Sequence, residues 1–156
     1  MADITYVWTE EGWLYLAVVL DLYSRAVVGW AMDGRMTREL VVSALTMAVW
    51  RRRPGAGLIA HSDRGSQYAS GDYQAVLERH GFLCSRAKKG DCYDNAAMES
   101  FFHSLKVEQV NDCRYQTRGE AKADVFEYIE TYYNPVRRHS TLSYLPPRDF
   151  ESRVAA

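Results

Sequence analysis

The sequence has little that would indicate a disulfide scaffold, a zinc site or a membrane span. Its three cysteines, Cys84, Cys92 and Cys113, form no Cys-x-x-Cys pair, and its four histidines lack zinc-finger spacing. The longest apolar run, Leu14 to Leu20, is too short to cross a bilayer. The chain lacks the excess of positive charge that is typical of nucleic-acid binders, because 20 Asp and Glu balance its 19 Lys and Arg. A site built from carboxylates remains compatible with this balance.

What is present predicts one globular α/β domain with a five-stranded mixed sheet. The chain has 156 residues, of which 47% are hydrophobic and 13% aromatic, enough for a sizeable core. Strand-like runs fall at 4–8, 13–22, 26–32, 58–61 and 82–85, and helical patterns at 38–50, 72–80 and about 117–134. A further helix is predicted within 92–108, starting from Asp94 or Asn95. Short loops between the first three strands predict an antiparallel meander, whereas the later strands follow helical crossovers and should be parallel. The tail, 136–150, has no periodicity and is predicted to be irregular.

The helix at 92–108 has two distinct faces. Asp94 or Asn95 could cap its start, since a short side-chain oxygen accepts a free N–H of the first turn. Residues three and four apart share a face. The apolar face carries Met98, Phe101 and Leu105, and the other carries Asn95, Glu99, His103 and Lys106. A solvated surface is the commoner explanation of the second face, so its interpretation depends on the rest of the chain.

Three acids stand out by their positions: Asp3 on the first strand, Asp63 after the fourth strand, and Glu99 in the helix. Ligands of open α/β sheets gather beyond the carboxyl ends of parallel strands, where Asp63 is expected. Oxygen-only carboxylate ligands suit Mg²⁺. Asp21 and Asp94 are rival acids, which we interpret as a hairpin-turn residue and a helix cap.

These positions, with the strings around them, resemble a known family. The strings are Asp3-Ile4-Thr5-Tyr6, Asp21-Leu22-Tyr23-Ser24-Arg25, Val28-Gly29-Trp30, His61-Ser62-Asp63-Arg64-Gly65-Ser66-Gln67-Tyr68, Asp94-Asn95-Ala96-Ala97-Met98-Glu99, Lys106-Val107-Glu108 and Tyr133-Asn134-Pro135-x-Arg137-x-His139. Together they resemble the Asp-Asp-Glu pattern of retroviral integrases and, more closely, of the related insertion-sequence transposases. The resemblance covers essentially the whole chain.

The resemblance implies an RNase H-like core within an integrase-type catalytic domain spanning 1–156. The core itself would occupy about 1–115, and 116–156 would form a C-terminal helix and tail. Asp3, Asp63 and Glu99 would be the catalytic residues and would bind two Mg²⁺ ions, for which Mn²⁺ could substitute, with Asp3 bridging both. The expected DNA-binding residues are Lys106, His103, Asn95, Arg64, Lys88 and Lys89. For Lys88 and Lys89, a solvated loop is an equally good explanation, and the role of His103 stays open.

The function implied is that of a transposase catalytic domain, which hydrolyses DNA phosphodiesters and transfers 3′-OH ends into target DNA. The partners expected are the element ends, the target DNA, further copies of this chain, and a separate N-terminal DNA-binding region or protein. The setting expected is the bacterial cytoplasm, at the nucleoid and without a membrane. Two alternatives remain: an RNase H-type nuclease without strand transfer, and a truncated, catalytically inactive binding module.

Overall fold

A single five-stranded sheet forms the centre of the computed structural model, which describes residues 1–63, 65–86 and 92–155. The strands lie in the order β3-β2-β1-β4-β5. The strands are β1 (Ala2–Thr9), β2 (Gly12–Leu20), β3 (Val27–Asp33), β4 (Ile59–Ser62) and β5 (Leu83–Arg86). The helices are α1 (Arg38–Arg52), α2 (Gly71–Arg79), α3 (Cys92–Leu105), α4 (Arg118–Glu127) and α5 (Pro147–Ala155). The predicted mixed sheet with flanking helices is confirmed.

Strand directions follow the lengths of the connections. Short turns join β1, β2 and β3 in an antiparallel meander, whereas β4 and β5 follow helices and run parallel to β1. At the second turn, Asp21 Oδ1 accepts hydrogen bonds from the backbone N–H groups of Tyr23 and Ser24, at 2.9 and 3.4 Å. The interpretation of Asp21 as a turn residue is therefore confirmed.

The sheet buries both of its faces, as the alternation along β2 shows. Leu14, Leu16 and Val18 point into a core shared with α3 and α4, while Ala17 points into a second core shared with α1 and α2. The first core extends to Tyr133, beyond the end of α4. The C-terminal part of the chain is thus packed on the same sheet face that carries α3.

Helix α3 has the predicted buried stripe but not the predicted start. Met98, Phe101 and Leu105 are each 1% exposed or less, which confirms the stripe. The helix begins at Cys92, so the prediction that Asp94 or Asn95 caps it is wrong. Both residues belong to its first turn, where the helix dipole also favours negative and polar groups. The side chain of Asp94 lies outside the described residues. Beyond Leu105 the helix widens into a π-helical segment, Lys106–Val110.

The last long helix starts as predicted. Thr117 Oγ1 accepts from the backbone N–H of Glu120 at 3.1 Å, and the Glu120 carboxylate accepts from that of Gln116 at 2.8 Å. The two bonds form a capping box in which the Glu120 carboxylate bonds to the N–H of Gln116 instead of the N–H of the N-cap residue Thr117. Helix α4 then continues as a π-helical segment, Tyr128–Tyr133.

The prediction of an irregular tail is wrong beyond its first part. A short 3₁₀ turn spans Ser140–Leu142, and α5 follows from Pro147. Proline suits the first turn of a helix, because the N–H that it lacks would have no partner there. The helix is short and mostly exposed, and an ion pair between Glu151 and Arg52 of α1 ties it to the domain. Few of its positions are buried, which explains why the sequence shows no helical periodicity of apolar residues there.

Among the helices that the structure describes, none is both long enough and apolar enough to cross a membrane.

Candidate active site

The first two predicted acids lie side by side on the neighbouring strands β1 and β4, at the point where β4 ends. Ala2 of β1 pairs with Ser62 of β4 in parallel register, so Asp3 and Asp63 follow at matched positions on neighbouring strands. Neighbouring strands are about 4.8 Å apart. The pairing of the two strands ends there, because β4 stops at Ser62. Asp63 therefore leaves the sheet beyond the carboxyl end of a parallel strand, where ligands of such sheets collect.

Asp3 is the most enclosed of the three acids. Its side chain is half-buried, and its Oδ1 accepts a hydrogen bond from the backbone N–H of Ile4 at 2.8 Å. Burial raises the pKa of the Asp3 carboxyl, the bond from Ile4 opposes this, and the charges of Asp63 and Glu99 raise the pKa further. The charges of Asp63 and Glu99 thus both disfavour the ionised form of Asp3.

Glu99 reaches this edge from α3. The neighbouring residue Met98 is completely buried and fixes the helix on the sheet, while Glu99 itself is exposed. Its charge acts on Asp3 although the two residues are far apart in the sequence. Glu99 therefore belongs to the electrostatic surroundings of Asp3, while a shared site for all three acids stays a prediction.

The donor chemistry of this edge fits a hard divalent cation. Three carboxylates offer only oxygen ligands, and their mutual repulsion is what a bound cation would relieve. Within 1–63, 65–86 and 92–155, no three His, Cys, Asp or Glu side chains lie close enough together to form a finished metal site. Asp63 and Glu99 are exposed, so their side chains are able to turn toward Asp3 without repacking the core.

Tyr68 lies in the segment that follows Asp63, and the sequence predicted no role for it. The residue is 3% exposed, and its hydroxyl has no hydrogen-bond partner among the described residues. Burial raises the pKa of the Tyr68 hydroxyl, and the charges of Tyr73, Asp3 and Asp63 raise it further. Only its place in the same short string as Asp63 could have suggested a role.

Lys106, predicted to hold DNA, lies against β1. Its ammonium donates a hydrogen bond to the backbone carbonyl of Tyr6 and lies 5.5 Å from the centre of the Tyr6 ring. Burial lowers the pKa of Lys106. Strand β1 has lost its pairing with β4 at this point, so Lys106 covers a carbonyl on an open strand edge.

The other predicted DNA-binding residues fall into two groups. His103 is exposed one turn beyond Glu99, and Asn95 lies one turn before it. The Oδ1 atom of Asn95 is buried and has no hydrogen-bond partner among the described residues. Arg64, Lys88 and Lys89 lie outside the described residues.

Comparison with known proteins identifies the family. The integrase core domain matches residues 1–92, and a second integrase core domain model matches residues 99–154. The chain belongs to the integrase core domain family. The predicted resemblance to integrase-type catalytic domains of insertion-sequence transposases is thereby confirmed.

The curated relatives of this integrase core domain include several bacterial transposases. The chain is 56% identical over 154 residues to the transposase InsF for insertion sequence IS3A of Escherichia coli, covering 99% of this chain and 54% of that protein. It is 50% identical over 151 residues to the transposase for insertion sequence element IS904 of Lactococcus lactis, covering 97% of this chain and 60% of that protein. The chain therefore spans little more than half the length of these relatives.

Solved structures confirm the RNase H-like fold. The catalytic core domain of HTLV-2 integrase, solved with magnesium in a trimeric form, superposes with a TM-score of 0.70 at 17% identity. The match covers 96% of this chain and 92% of that one. A simian T-cell lymphotropic virus intasome, in complex with the PP2A regulatory subunit B56 gamma, gives a TM-score of 0.74 at 15% identity, covering 96% of this chain and 52% of that one.

Proposed function

We propose that this chain is the catalytic part of a DNA transposase, which cleaves a phosphodiester at an element end and joins the resulting 3′-OH to target DNA. Both steps are in-line displacements at phosphorus, with water as the nucleophile in the first and the 3′-OH in the second. Neither step needs a covalent bond between protein and DNA. Membership of the integrase core domain family and the identity to insertion-sequence transposases support this reaction class.

One observation carries the assignment of the site. The register between Ala2 and Ser62 sets Asp3 beside Asp63, and Glu99 is close enough for its charge to raise the pKa of Asp3. The charges of Asp63 and Glu99 thus both oppose ionisation of Asp3, in addition to burial. A carboxyl pKa raised by burial and by neighbouring charges supports a functional site here.

Asp3, Asp63 and Glu99 are the residues that would hold two Mg²⁺ or Mn²⁺ ions. When bound, such ions lower the pKa of the attacking oxygen and stabilise the departing one. A magnesium complex of the HTLV-2 integrase catalytic core domain supports this choice of cation.

The protein's own contribution is to position these groups. Asp3 is fixed by the rigid strand and by the bond from the Ile4 N–H, and the backbone of Glu99 by a helix whose preceding residue, Met98, is completely buried. Preorganised carboxylates lower the reorganisation that the reaction would otherwise require. Asp63 directly follows the last residue of β4 and is exposed, so it would be accessible to DNA.

The DNA backbone would be held by residues around this edge. Lys106 would exchange the Tyr6 carbonyl for a phosphate oxygen, and His103 and Asn95 would flank Glu99 along α3. Arg64, Lys88 and Lys89 are proposed as further phosphate contacts. Such contacts do not depend on base sequence and should weaken as salt is added.

We assign the recognition of element ends to a region or protein other than this catalytic domain. The curated transposases are almost twice as long as this chain, so we expect a separate N-terminal DNA-binding region or protein. Joining two ends requires more than one active site, and we therefore propose a homo-oligomer. The trimeric and dimeric forms of the HTLV-2 integrase core domain support this proposal.

A pre-cleaved DNA end with a free 3′-OH tests the reaction directly. With Mg²⁺, the chain should join this end to target DNA, and Asp63→Asn and Glu99→Gln should abolish the joining while leaving the circular dichroism spectrum unchanged. Asp72→Asn and Glu78→Gln, two exposed acids of α2, make the same chemical changes away from the site and should remain active.

The alternatives give other outcomes. Cleavage without any joining would favour an RNase H-type nuclease. A chain that neither cleaves, joins nor responds to Mg²⁺ or Mn²⁺ would favour an inactive binding module. Joining by Glu99→Gln at the parental rate would remove Glu99 from the site.

A further inference from the structure

Three aromatic side chains form an exposed cluster at the far end of β1. Tyr6 and Trp8 are 54% and 55% exposed, and Trp13, on the neighbouring strand β2, is 42% exposed. Trp13 contacts both of the other rings edge-on, with 4.9 Å between ring centres to Tyr6 and 4.8 Å to Trp8. Single exposed apolar side chains are ordinary, whereas a cluster of large ones is typical of a binding surface.

The cluster lies where α1 and α2 no longer cover the sheet. Alternate residues of a strand share a face, and Ala2 and Ile4 of β1 pack into the core formed with these two helices. Tyr6 and Trp8 continue the same face beyond that core and are exposed. The rings therefore stand on a part of the sheet that the described helices leave open to solvent.

Lys106 lies at the strand edge beside this cluster. Within the described part of the chain, this edge of β1 is open between its pairing with β4 and its bridge to Tyr115. The Lys106 ammonium donates to the Tyr6 carbonyl there and lies 5.5 Å from the centre of the Tyr6 ring. Asp3 points to the opposite face of the sheet from Tyr6, because their positions on β1 differ by three. Lys106 therefore lies at the edge between the face of Asp3 and the face of the aromatic cluster.

The groove beside the three rings carries a net positive charge. It has a volume of about 300 Å³, and Lys106 and Arg114 line it together with the rings. The acid in its lining, Glu10, is paired with Arg114 at 2.8 Å, while the Arg114 side chain stays 82% exposed. Grooves for single-stranded nucleic acid combine cations that contact phosphates with aromatic rings on which bases stack. A protein interface would instead be depleted of charged residues at its centre.

We propose that the aromatic cluster binds an unpaired stretch of DNA, whose bases stack on Tyr6, Trp8 and Trp13 while Lys106 and Arg114 contact its phosphates. The inference rests on the proposed function, because the DNA handled at the carboxylates would supply this strand. Stacking requires a free base face, which a paired base inside a duplex does not offer. The cluster therefore distinguishes single-stranded or frayed DNA from intact duplex.

The test measures the affinities of the parent chain and of Trp8→Leu for two fluorescein-labelled probes by fluorescence anisotropy. One probe is a single-stranded oligothymidylate of about 12 nucleotides, within the range of single-stranded binding sites, and the other is a duplex of the same length. Trp8→Leu keeps an apolar side chain but removes the stacking plane. Its Kd for the oligothymidylate should therefore rise about 5- to 150-fold, while its Kd for the duplex stays at the parental value.

Two further variants separate stacking from other effects. Trp8→Phe keeps a ring and should bind the oligothymidylate nearly as tightly as the parent does. Trp50→Leu makes the same chemical change at a tryptophan of α1 that is 70% exposed, and should leave both affinities unchanged. A purely structural role of Trp8 predicts instead that Trp8→Leu lowers the unfolding temperature and keeps the parental ratio of the two Kd values.

The other outcomes overturn the inference in distinguishable ways. If the parent binds both probes and Trp8→Leu binds the oligothymidylate with parental affinity, the inference is wrong while the proposed function stands. If, in addition, light scattering shows that Trp8→Leu turns a parental dimer into a monomer, the cluster is an interface between copies of this chain. If the parent binds neither probe, the DNA assignment fails and the inference fails with it.

Discussion

The side-chain amide of Asn134 acts as a strand partner for Val27. Its Nδ2 donates to the Val27 carbonyl and its Oδ1 accepts from the Val27 N–H, both at 2.9 Å. Val27 begins β3, an edge strand, where the pairing with β2 shifts its register. The end of the last long helix is thereby fastened to the sheet, and the backbone groups of an exposed edge are satisfied.

We expect Asn134→Ala to lower the free energy of unfolding by about 1–3 kcal/mol, because both Val27 groups lose their partner. Urea denaturation measures the change. Asn111→Ala is the control, since Asn111 is exposed and its side chain makes no hydrogen bond within the described residues. An equal loss in both variants would contradict the role given to Asn134.

Sequence reasoning recovered what depends on local patterns. The five strands, the buried stripe of α3 and the turn at Asp21 follow from periodicity and turn chemistry, and the family resemblance pointed to Asp3, Asp63 and Glu99. It could not show that Asn134 bonds to Val27, because no local pattern encodes a contact between two such distant residues. It also missed α5, which is held by individual long-range contacts, such as those of Glu151 with Arg52 and Ser24, rather than by an apolar stripe.

Arg137 and Glu108 belong to two of the strings that resemble the family, and they form an ion pair with a structural role. The Arg137 guanidinium donates to both carboxylate oxygens of Glu108, at 2.9 and 3.0 Å, and the Tyr128 hydroxyl donates to the same group at 2.7 Å. Partial burial acts to raise the pKa of Glu108, but the hydrogen bonds from Arg137 and Tyr128 outweigh it and lower the pKa. The ion pair thus holds the π-helical segment Lys106–Val110 against the C-terminal tail.

A double-mutant cycle on Glu108→Gln and Arg137→Gln should give a coupling energy of about 1–2 kcal/mol, reduced by partial exposure. Glu10 and Arg114 form a matched pair with a single contact of 2.8 Å and an arginine that is 82% exposed. Their coupling should be about 0.5 kcal/mol or less. Equal couplings in the two cycles would show that the first pair contributes nothing beyond a surface contact.

His139 should make stability depend on pH below neutrality. Burial, followed by the charges of Arg137 and Arg25, lowers the pKa of His139 from 6.5 to about 4, with Glu108 opposing. The folded chain thus prefers the neutral ring, so its contribution is complete above pH 6.5 and is lost as the pH falls toward about 4. Below that value both states are protonated and the contribution no longer changes.

Urea unfolding at a series of pH values measures this effect, and His139→Gln should flatten the profile between pH 6.5 and about 4. His80→Gln, which removes a histidine that stacks on Phe82, is the control for the loss of a histidine ring as such. A profile for His139→Gln as steep as that of the parent would assign the acid sensitivity to other groups.

Gly29 lies where α1 packs directly onto β3. A methyl group there would lie 2.2 Å from the Ala44 carbonyl oxygen and 2.8 Å from the Ala48 nitrogen, both backbone atoms of α1. We expect Gly29→Ala to destabilise the fold by about 2 kcal/mol or more, because the whole helix must shift. Gly55→Ala, with no atom within 4 Å of the added carbon, should change stability little. Thermal unfolding of the two variants compares them, and similar unfolding temperatures would mean that α1 moves freely.

The three carboxylates should cost stability when no metal is bound. Burial, followed by the charges of Asp63 and Glu99, raises the pKa of Asp3 from its ordinary value of 3.8, and the bond from the Ile4 N–H opposes this. Ionising Asp3 is therefore harder in the folded chain than in the unfolded one. The stability that protonated Asp3 supplies is complete below pH 3.8 and is lost as the pH rises through its higher folded-state pKa. Asp63→Asn or Glu99→Gln should therefore raise the metal-free unfolding free energy near neutral pH by about 1 kcal/mol or less.

The same two variants should lose the stabilisation that Mg²⁺ gives the parent, because a ligand stabilises only the state that binds it. Thermal unfolding with and without Mg²⁺, at low and high NaCl, separates the repulsion between carboxylates from the binding of metal. Salt screens the repulsion, whereas it leaves a specific metal site in place. Asp72→Asn, an exposed acid near Arg38, should neither gain stability without metal nor lose the response to Mg²⁺. If Asp63→Asn behaves like Asp72→Asn in both measurements, Asp63 neither repels Asp3 nor binds metal, and the acids at this edge do not act together.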